Sequence, residues 1–292
     1  MASSIRVAAL YRYPVKSMVG ERLDSVAFTR LGPVGDRNWA VIDRDRSVIR
    51  SAKRWPSLLL FRAQYATPPT EDAYDAAVSP VLITAPDGDA CRSDDPRIDA
   101  WLSDRLERPA SLSRRRPASD RDHYRLPGAR SAAAIAEELN LQAGEVLPDF
   151  GAADDPGIAE LQAYATPPGS YVDAFPIHVL TQTTLDTLAA KSGLDTAVGR
   201  FRPNLLLETT DPDAFPEQGW VGRRLRIGDA VIRVQSPTLR CAMPARPQPL
   251  LSLAAEPTLT RALVDHCRRY LGVNAIIEQG GAVRVGDRVT VA

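Results

Sequence analysis

Leu225-Arg226-Ile227-Gly228-Asp229-Ala230-Val231-Ile232-Arg233-Val234 sets apolar residues in alternation on both sides of a Gly-Asp pair. A period of two puts the apolar side chains on one face of a strand, and Gly-Asp is a pair that closes a tight turn. The stretch therefore reads as two strands joined at a hairpin. A near copy, Arg284-Val285-Gly286-Asp287-Arg288-Val289, lies further on and reads the same way. Two such corners in one half of the chain predict a small closed β-barrel there.

Upstream of the first corner, Arg200-Phe201-Arg202-Pro203-Asn204 is a polar bend feeding the apolar run Leu205-Leu206-Leu207. Downstream, Ser236-Pro237-Thr238-Leu239-Arg240-Cys241-Ala242-Met243-Pro244 delivers one cysteine, beside an arginine, into a Pro-flanked loop. A thiolate is a soft metal ligand, and guanidinium groups grip anionic oxygens, so the pair suits a metal carried by an anionic organic cofactor. An isolated Arg-Cys pair is more often a small buried hydrophobe beside a surface arginine. The other motifs of the chain decide between the two.

Ile5 to Tyr13 reads as a strand stopped by Pro14, followed by the loop Pro14-Val15-Lys16-Ser17-Met18. Lysine occurs only at Lys16, Lys53 and Lys191 against a strong arginine bias, which makes Lys16 the rarer event. An ammonium and a hydroxyl side by side suit a phosphate, although a lysine after a strand is usually only solvated. Residues 25–29, 36–43 with Arg37 at the mouth, 47–50, 57–64 and 81–84 read as further short strands, and 66–80 as a loop. Residues 96–107 have helical spacing, with Asp95 as the cap. Residues 112–130, including Arg114-Arg115-Arg116, read as a solvated linker in preference to a phosphate patch. Residues 132–139 read as a short helix and 149–169 as loop.

In the second half, Phe175 to Thr181 reads as a strand and 182–191 as a helix capped by Thr181. Thr181 and Thr184 would stand at a helix N-terminus, where amide N–H groups favour an anion, and simple capping explains them equally well. His178 reads as a core-facing strand residue. Residues 257–270 are helical in spacing, with Cys267 as packing on the apolar face, and 273–278 form another strand. The expected fold class is mainly β with peripheral helices. It divides into an N-terminal β domain over residues 1–115, a linker with a short helix over 116–170, and a β-barrel domain over 171–292.

The 292 residues are 44% apolar and 25% charged, with a formal net charge of zero. That balance gives no global electrostatic case for nucleic acid or an anionic membrane as a partner. Cysteine occurs at 91, 241 and 267, an odd set with no close pair, which argues against a disulfide framework and a Cys-only zinc site. With no signal-peptide pattern and no span-length apolar run, the expected location is the cytoplasm.

Together these motifs resemble a known family. Tyr13-Pro14-Val15-Lys16-Ser17, Asp36-Arg37-Asn38-Trp39, Phe201-Arg202-Pro203-Asn204, Leu239-Arg240-Cys241 and Val285-Gly286-Asp287 stand in the order found in MOSC-domain proteins with a MOSC N-terminal β-barrel domain. The arrangement is similar to that of the amidoxime-reducing molybdenum enzymes. The resemblance implies that Cys241 ligates molybdenum in a pyranopterin cofactor and is the catalytic residue. It implies that Lys16, Ser17, Arg37, Arg202 and Asn204 hold the pterin and its phosphate, with Thr181, Thr184 and Arg240 nearby. Leu239 stands where some relatives carry a small or hydroxyl residue, and Pro244-Ala245-Arg246-Pro247 departs from the Thr-rich sequence of the mitochondrial enzymes.

The implied activity is a two-electron reduction of N-hydroxylated or related small substrates. A separate electron-transfer protein, a ferredoxin- or flavin-type reductase, would supply the electrons. Two alternatives stay open: a sulfur carrier that uses a Cys241 persulfide, and a non-catalytic module that binds or stores the molybdenum cofactor. Nothing else in the sequence supports pyridoxal phosphate on Lys16.

Overall fold

The Gly228-Asp229 corner is a two-residue hairpin. Arg224–Ile227 pairs antiparallel with Ala230–Leu239, and Ile227 faces Ala230 across the turn. Gly228 sits at φ 55° with the Ala282 carbonyl 2.6 Å from where a Cβ would stand, so only glycine fits without a shift. This computed structural model describes residues 4–69, 79–128, 131–146 and 163–292.

The hairpin lies in a closed seven-stranded barrel. Around the barrel the order is Leu205–Thr209, Ile177–Thr181, Tyr270–Gln279, Ala230–Leu239, Arg224–Ile227, Arg288–Val291 and Ile5–Arg12, which returns to Leu205–Thr209. The seventh strand thus comes from the start of the chain. Ile5 pairs with Thr209 on one side and with Val289 on the other. Alternate residues of these strands, among them Leu10, Val179, Leu205, Ile227, Ile232 and Val273, fill the interior. The helices Gln182–Ser192 and Leu259–Cys267 pack outside through Leu185, Leu188, Leu259 and Leu263.

The second Gly-Asp corner differs from the expected hairpin. Gly281–Arg284 pairs with Ser25–Thr29, whereas Arg288–Val291 pairs with Arg224–Ile227. The corner is a turn, closed by the Asp287 N–H donating to the Arg284 carbonyl at 3.1 Å, that passes the chain between two sheets. Turn chemistry alone does not say whether the flanking strands become partners.

The N-terminal half adds two small sheets, Val48–Ile49 with Trp39–Asp43 and Ala110–Arg114, and Arg62–Tyr65 with Val81–Thr84 and Ala90–Arg92. They enclose Val15, Met18, Leu58, Phe61, Ile83 and Leu102. Three elements differ from the sequence expectation. Residues 57–64 are not one strand: Pro56–Leu60 is a 3-10 turn that buries Leu58 and Leu59, and the strand begins at Arg62. The helix runs Ile98–Leu106 without a side-chain cap, because Asp95 accepts from the Arg97 N–H in a turn before it. Residues 110–114, read in part as linker, form a strand against Trp39–Asp43, and Arg115 is buried. Ser and Arg there satisfy a ladder that shows no apolar period. The helix Ala132–Leu139 forms as expected. Most of the expected loops over 66–80 and 149–169 lie outside the described residues. Among the described residues, no helix is long and apolar enough to cross a membrane.

Residues 163–292 expressed alone would lack Ile5–Arg12 and leave Leu205–Thr209 and Arg288–Val291 as open edges. That fragment is expected to show no cooperative unfolding transition in urea. In the full chain, Leu10→Ala, at a fully buried barrel position, should lower unfolding stability by about 2–5 kcal/mol. A sharp transition for the fragment would show that the barrel does not need its seventh strand.

Candidate functional site

Tyr13 is the point where the separate motifs meet. It follows the barrel strand Ile5–Arg12 directly. Its N–H donates to Asp36 Oδ1 at 2.7 Å, its carbonyl accepts from the Arg37 N–H at 2.7 Å, and its hydroxyl donates to the Pro203 carbonyl at 3.0 Å. The Arg37 guanidinium lies 4.9 Å from the ring centroid and that of Arg202 4.2 Å from it. One aromatic ring thus carries two cations, an arrangement in which the ring faces offset part of the mutual repulsion. Ser17, Arg37 and Arg202 all adopt left-handed backbone conformations, with φ of 71°, 49° and 55°. Non-glycine residues hold that conformation at a cost, and such positions concentrate where geometry serves a ligand.

Lys16 is buried. Its Nζ donates to the Tyr171 carbonyl at 2.9 Å and pairs with Asp173, which also pairs with Lys53 at 3.1 Å. Burial lowers the Lys16 pKa to about 8, and the Asp173 carboxylate opposes the shift. Arg37 pairs with the buried Asp36. Burial likewise pulls Arg202 down to about 10, so it stays charged at neutral pH. Arg202 Nη2 is buried with no hydrogen-bond partner among the described residues.

The strand Ala230–Leu239 ends beside this cluster, and Arg240 and Cys241 follow it. Arg240 is buried; Nη2 donates to the Phe201 carbonyl at 2.8 Å, and Nη1 lies 3.3 Å from His178 Nε2. A guanidinium only donates, so His178 Nε2 is the acceptor. Burial, and then the Arg240 charge, push the His178 imidazole well below its ordinary pKa and keep it neutral. Gly272, at φ 78°, leaves the space this ring occupies. Arg240 Nε has no partner among the described residues. Cys241 is half-buried and free.

The expected site residues therefore divide. Lys16, Arg37, Arg202 and Arg240 act on one another electrostatically, directly or through Tyr13 and Asp173. Asn204 joins the same cluster but is spent on structure: Oδ1 accepts from the His178 N–H at 3.2 Å, and Nδ2 donates to the Tyr11 carbonyl at 3.3 Å. Ser17 Oγ accepts from the Ala52 N–H at 2.9 Å and fixes the loop. Thr181 and Thr184 show the capping that was the alternative to an anion site, and they also meet a carboxylate. Their hydroxyls donate to Glu217 Oε2 at 2.8 Å and 2.6 Å, and Thr181 caps the helix by accepting from the Thr184 N–H. Burial raises the Glu217 pKa, and the two hydroxyls oppose that shift. The two hydroxyls are thus engaged by a carboxylate of the chain itself.

Two family sequence models match this chain, one described as the MOSC N-terminal beta barrel domain over residues 4–109 and one as the MOSC domain over residues 167–290. The chain belongs to the MOSC family. In this MOSC protein Lys16 and Arg37 fall in the first match and Arg202, Arg240 and Cys241 in the second, so the cluster straddles the two. Among curated proteins it is similar to molybdenum cofactor sulfurases. That of Drosophila mojavensis is 24% identical over 82% of this chain and 27% of its own length, and that of Drosophila grimshawi is 22% identical over 79% and 27%. The chain spans about a quarter of the length of those relatives. Among solved structures, the YUAD protein of Bacillus subtilis aligns over 99% of this chain and 96% of its own at 14% identity and a TM-score of 0.46.

Asp173, Lys53, Tyr13 and the His178–Arg240 contact were not singled out as site features by the sequence. Lys53 had a usable signal in the rarity of lysine, while Asp173 lies in a stretch rich in Pro, Gly and Asp that hides it.

Lys16 gives the cluster a pH dependence of definite sign. Because burial lowers its pKa to about 8, the ammonium is lost as pH rises through that value, and with it one charged donor. Affinity for inorganic pyrophosphate, measured by calorimetry on cofactor-free protein, should fall by about tenfold as pH rises past 8. Lys16→Met should bind weakly and without that step. A flat profile in the unaltered protein would exclude Lys16 from anion binding.

Proposed function

We propose that this protein binds a molybdenum cofactor, with Cys241 as the thiolate ligand of the metal. The observation that carries the reading is a pair of buried guanidinium nitrogens, Arg202 Nη2 and Arg240 Nε, with no partner among the described residues, in a cluster that adjoins a free cysteine. Buried donors without acceptors are costly, and an anionic cofactor would satisfy them. The donor set fits the group: charged nitrogens suit a phosphate and a pterin, and a thiolate suits a soft metal. Lys16, Arg37 and Arg202 would hold the cofactor, while Ser17 and Asn204 keep their loops in place. The names of the curated relatives support the same cofactor.

When bound, the cofactor supplies a two-electron redox centre. The proposed reaction removes oxygen from an N-hydroxylated small substrate: the N–O bond breaks, two electrons and two protons are taken up, and amine and water leave. The chain's own groups position and shield. Neutral His178 accepts from Arg240 and fixes the guanidinium next to Cys241. Asp173 and the Tyr171 carbonyl orient the Lys16 ammonium. Electrons would come from a separate ferredoxin- or flavin-type reductase, in the cytoplasm.

A second reading, a sulfur carrier using a Cys241 persulfide, is supported by the sulfurase names of the relatives and by the partial exposure of Cys241. Metal analysis and oxidised-pterin fluorescence, on protein from a host that makes the cofactor, separate the two. Near-stoichiometric molybdenum with pterin is expected, and Cys241→Ala should lower molybdenum content by at least ~10-fold while the fold persists. Well-folded protein with neither, carrying added sulfur on Cys241 by mass spectrometry, would replace the first reading with the second.

A further inference from the structure

Residues 131–146 lie against the cysteine loop and are tied to it at two points. Arg269 is almost fully buried. Its Nε and Nη2 donate to the two Glu145 carboxylate oxygens at 2.5 Å each, and Nη1 donates to the Leu139 carbonyl at 2.6 Å. The same Nη1 reaches the Arg240 carbonyl at 3.3 Å, and the Arg240 N–H donates to the Arg269 carbonyl at 2.9 Å. On the other side of the cysteine, the Ala242 N–H donates to the Glu138 carbonyl at 3.2 Å. Both chain neighbours of Cys241 are therefore bonded to this segment, one through Arg269 and one directly.

The far side of the segment is held by Arg54. Nε donates to Glu138 Oε1 and Nη1 to Glu137 Oε2, each at 2.9 Å, and Nη2 reaches the Ala134 carbonyl at 3.4 Å. Arg54 follows Lys53, the partner of Asp173, so the segment crosses from the Lys16 side of the site to the cysteine loop.

The two anchors are unequal. The Arg269–Glu145 pair is bidentate, with side chains 1% and 13% exposed. A pair of that kind is strong and expensive to break. At the other end Arg54 is 33% exposed; its partner Glu138 is 14% exposed but Glu137 is 76% exposed, and exposed pairs contribute little. Helix Ala132–Leu139 buries only Leu139 well and is too short to be stable on its own. Local opening at the Arg54 end therefore costs less than detachment at the Arg269 end.

We infer that residues 131–146 form a strap that selects by size which molecules reach Cys241, fixed by Arg269 and releasable at Arg54. Compact molecules pass the docked strap, and bulky ones wait for it to open. The inference rests on Cys241 being the working group of the site. Its test uses the thiol of cofactor-free protein, so its result does not depend on whether the molybdenum reading holds.

The experiment compares modification of Cys241 by iodoacetamide, a compact reagent, and by fluorescein maleimide, a bulky one. Mass spectrometry assigns the label to each cysteine peptide, with Cys91 and Cys267 as internal controls. Arg54→Ala, and separately Glu137→Lys combined with Glu138→Lys, should raise the maleimide rate at Cys241 about five- to tenfold. The iodoacetamide rate should change less than about twofold, and hydrogen exchange at the Ala242 amide should quicken in step with the maleimide rate. Unchanged maleimide rates in both variants, or an equal rise for the two reagents, would overturn the inference.

Discussion

The antiparallel register between Ile5–Arg12 and Leu205–Thr209 is the constraint on which the rest depends. Leu10 faces Leu205, so the chain leaving one strand at Tyr13 passes the chain entering the other from Pro203 and Asn204. The parallel pairing of Val179 with Leu205 sets His178 beside Asn204. The pairing of Leu239 with Tyr270 sets Arg240 beside Arg269. Three strand registers thus bring five distant stretches of sequence to one end of the barrel. A one-residue slip in any of them would turn its side chains to the opposite face and scatter the cluster.

What gathers there is electrostatically expensive. Lys16, Lys53, Arg37, Arg202 and Arg240 share the region with the carboxylates of Asp36 and Asp173. The depressed pKa values of Lys16 and Arg202 record the cost of holding charge away from water. The left-handed backbone at Ser17, Arg37 and Arg202 adds strain at the same place. A core optimised for stability alone would not carry this arrangement, whereas a site prepared for an anion would. An anion bound there would return stability to the fold through mass action.

How much of this was legible depends on the range of the interaction. The Gly228-Asp229 hairpin, the Thr181-capped helix and the helix Ala132–Leu139 follow from local patterns and stand where the sequence puts them. Residue types announce their chemistry, so Lys16, Arg37, Arg202 and Arg240 were visible as candidates. The partner of a hydroxyl was not visible. Thr181 and Thr184 looked outward in sequence, and the carboxylate they meet lies more than thirty residues away at Glu217. The strand Ala110–Arg114 escaped because Ser and Arg give it no period, and its ladder to Trp39–Asp43 is non-local. Likewise no pattern inside residues 131–146 points to Arg269, a contact 124 residues distant.

The cysteine itself does not separate the metal reading from the persulfide reading. Arg240 stands beside the sulfur in either case, whether it binds a metal or carries another sulfur. The discrimination lies on the other side of the site. Cys241 is free and only half-buried, and a sulfur carrier needs a reachable thiol. It has no use for Lys16 and Arg37, which the N-terminal part of the chain contributes and holds buried or in a left-handed backbone. Both already have partners within the chain, Asp173 for Lys16 and Asp36 for Arg37, and on the proposed reading they would also meet a larger anion reaching from them to Cys241. The physical argument for the proposed cofactor is thus the cost of the cationic cluster, which an anion reaching across both parts of the chain would offset.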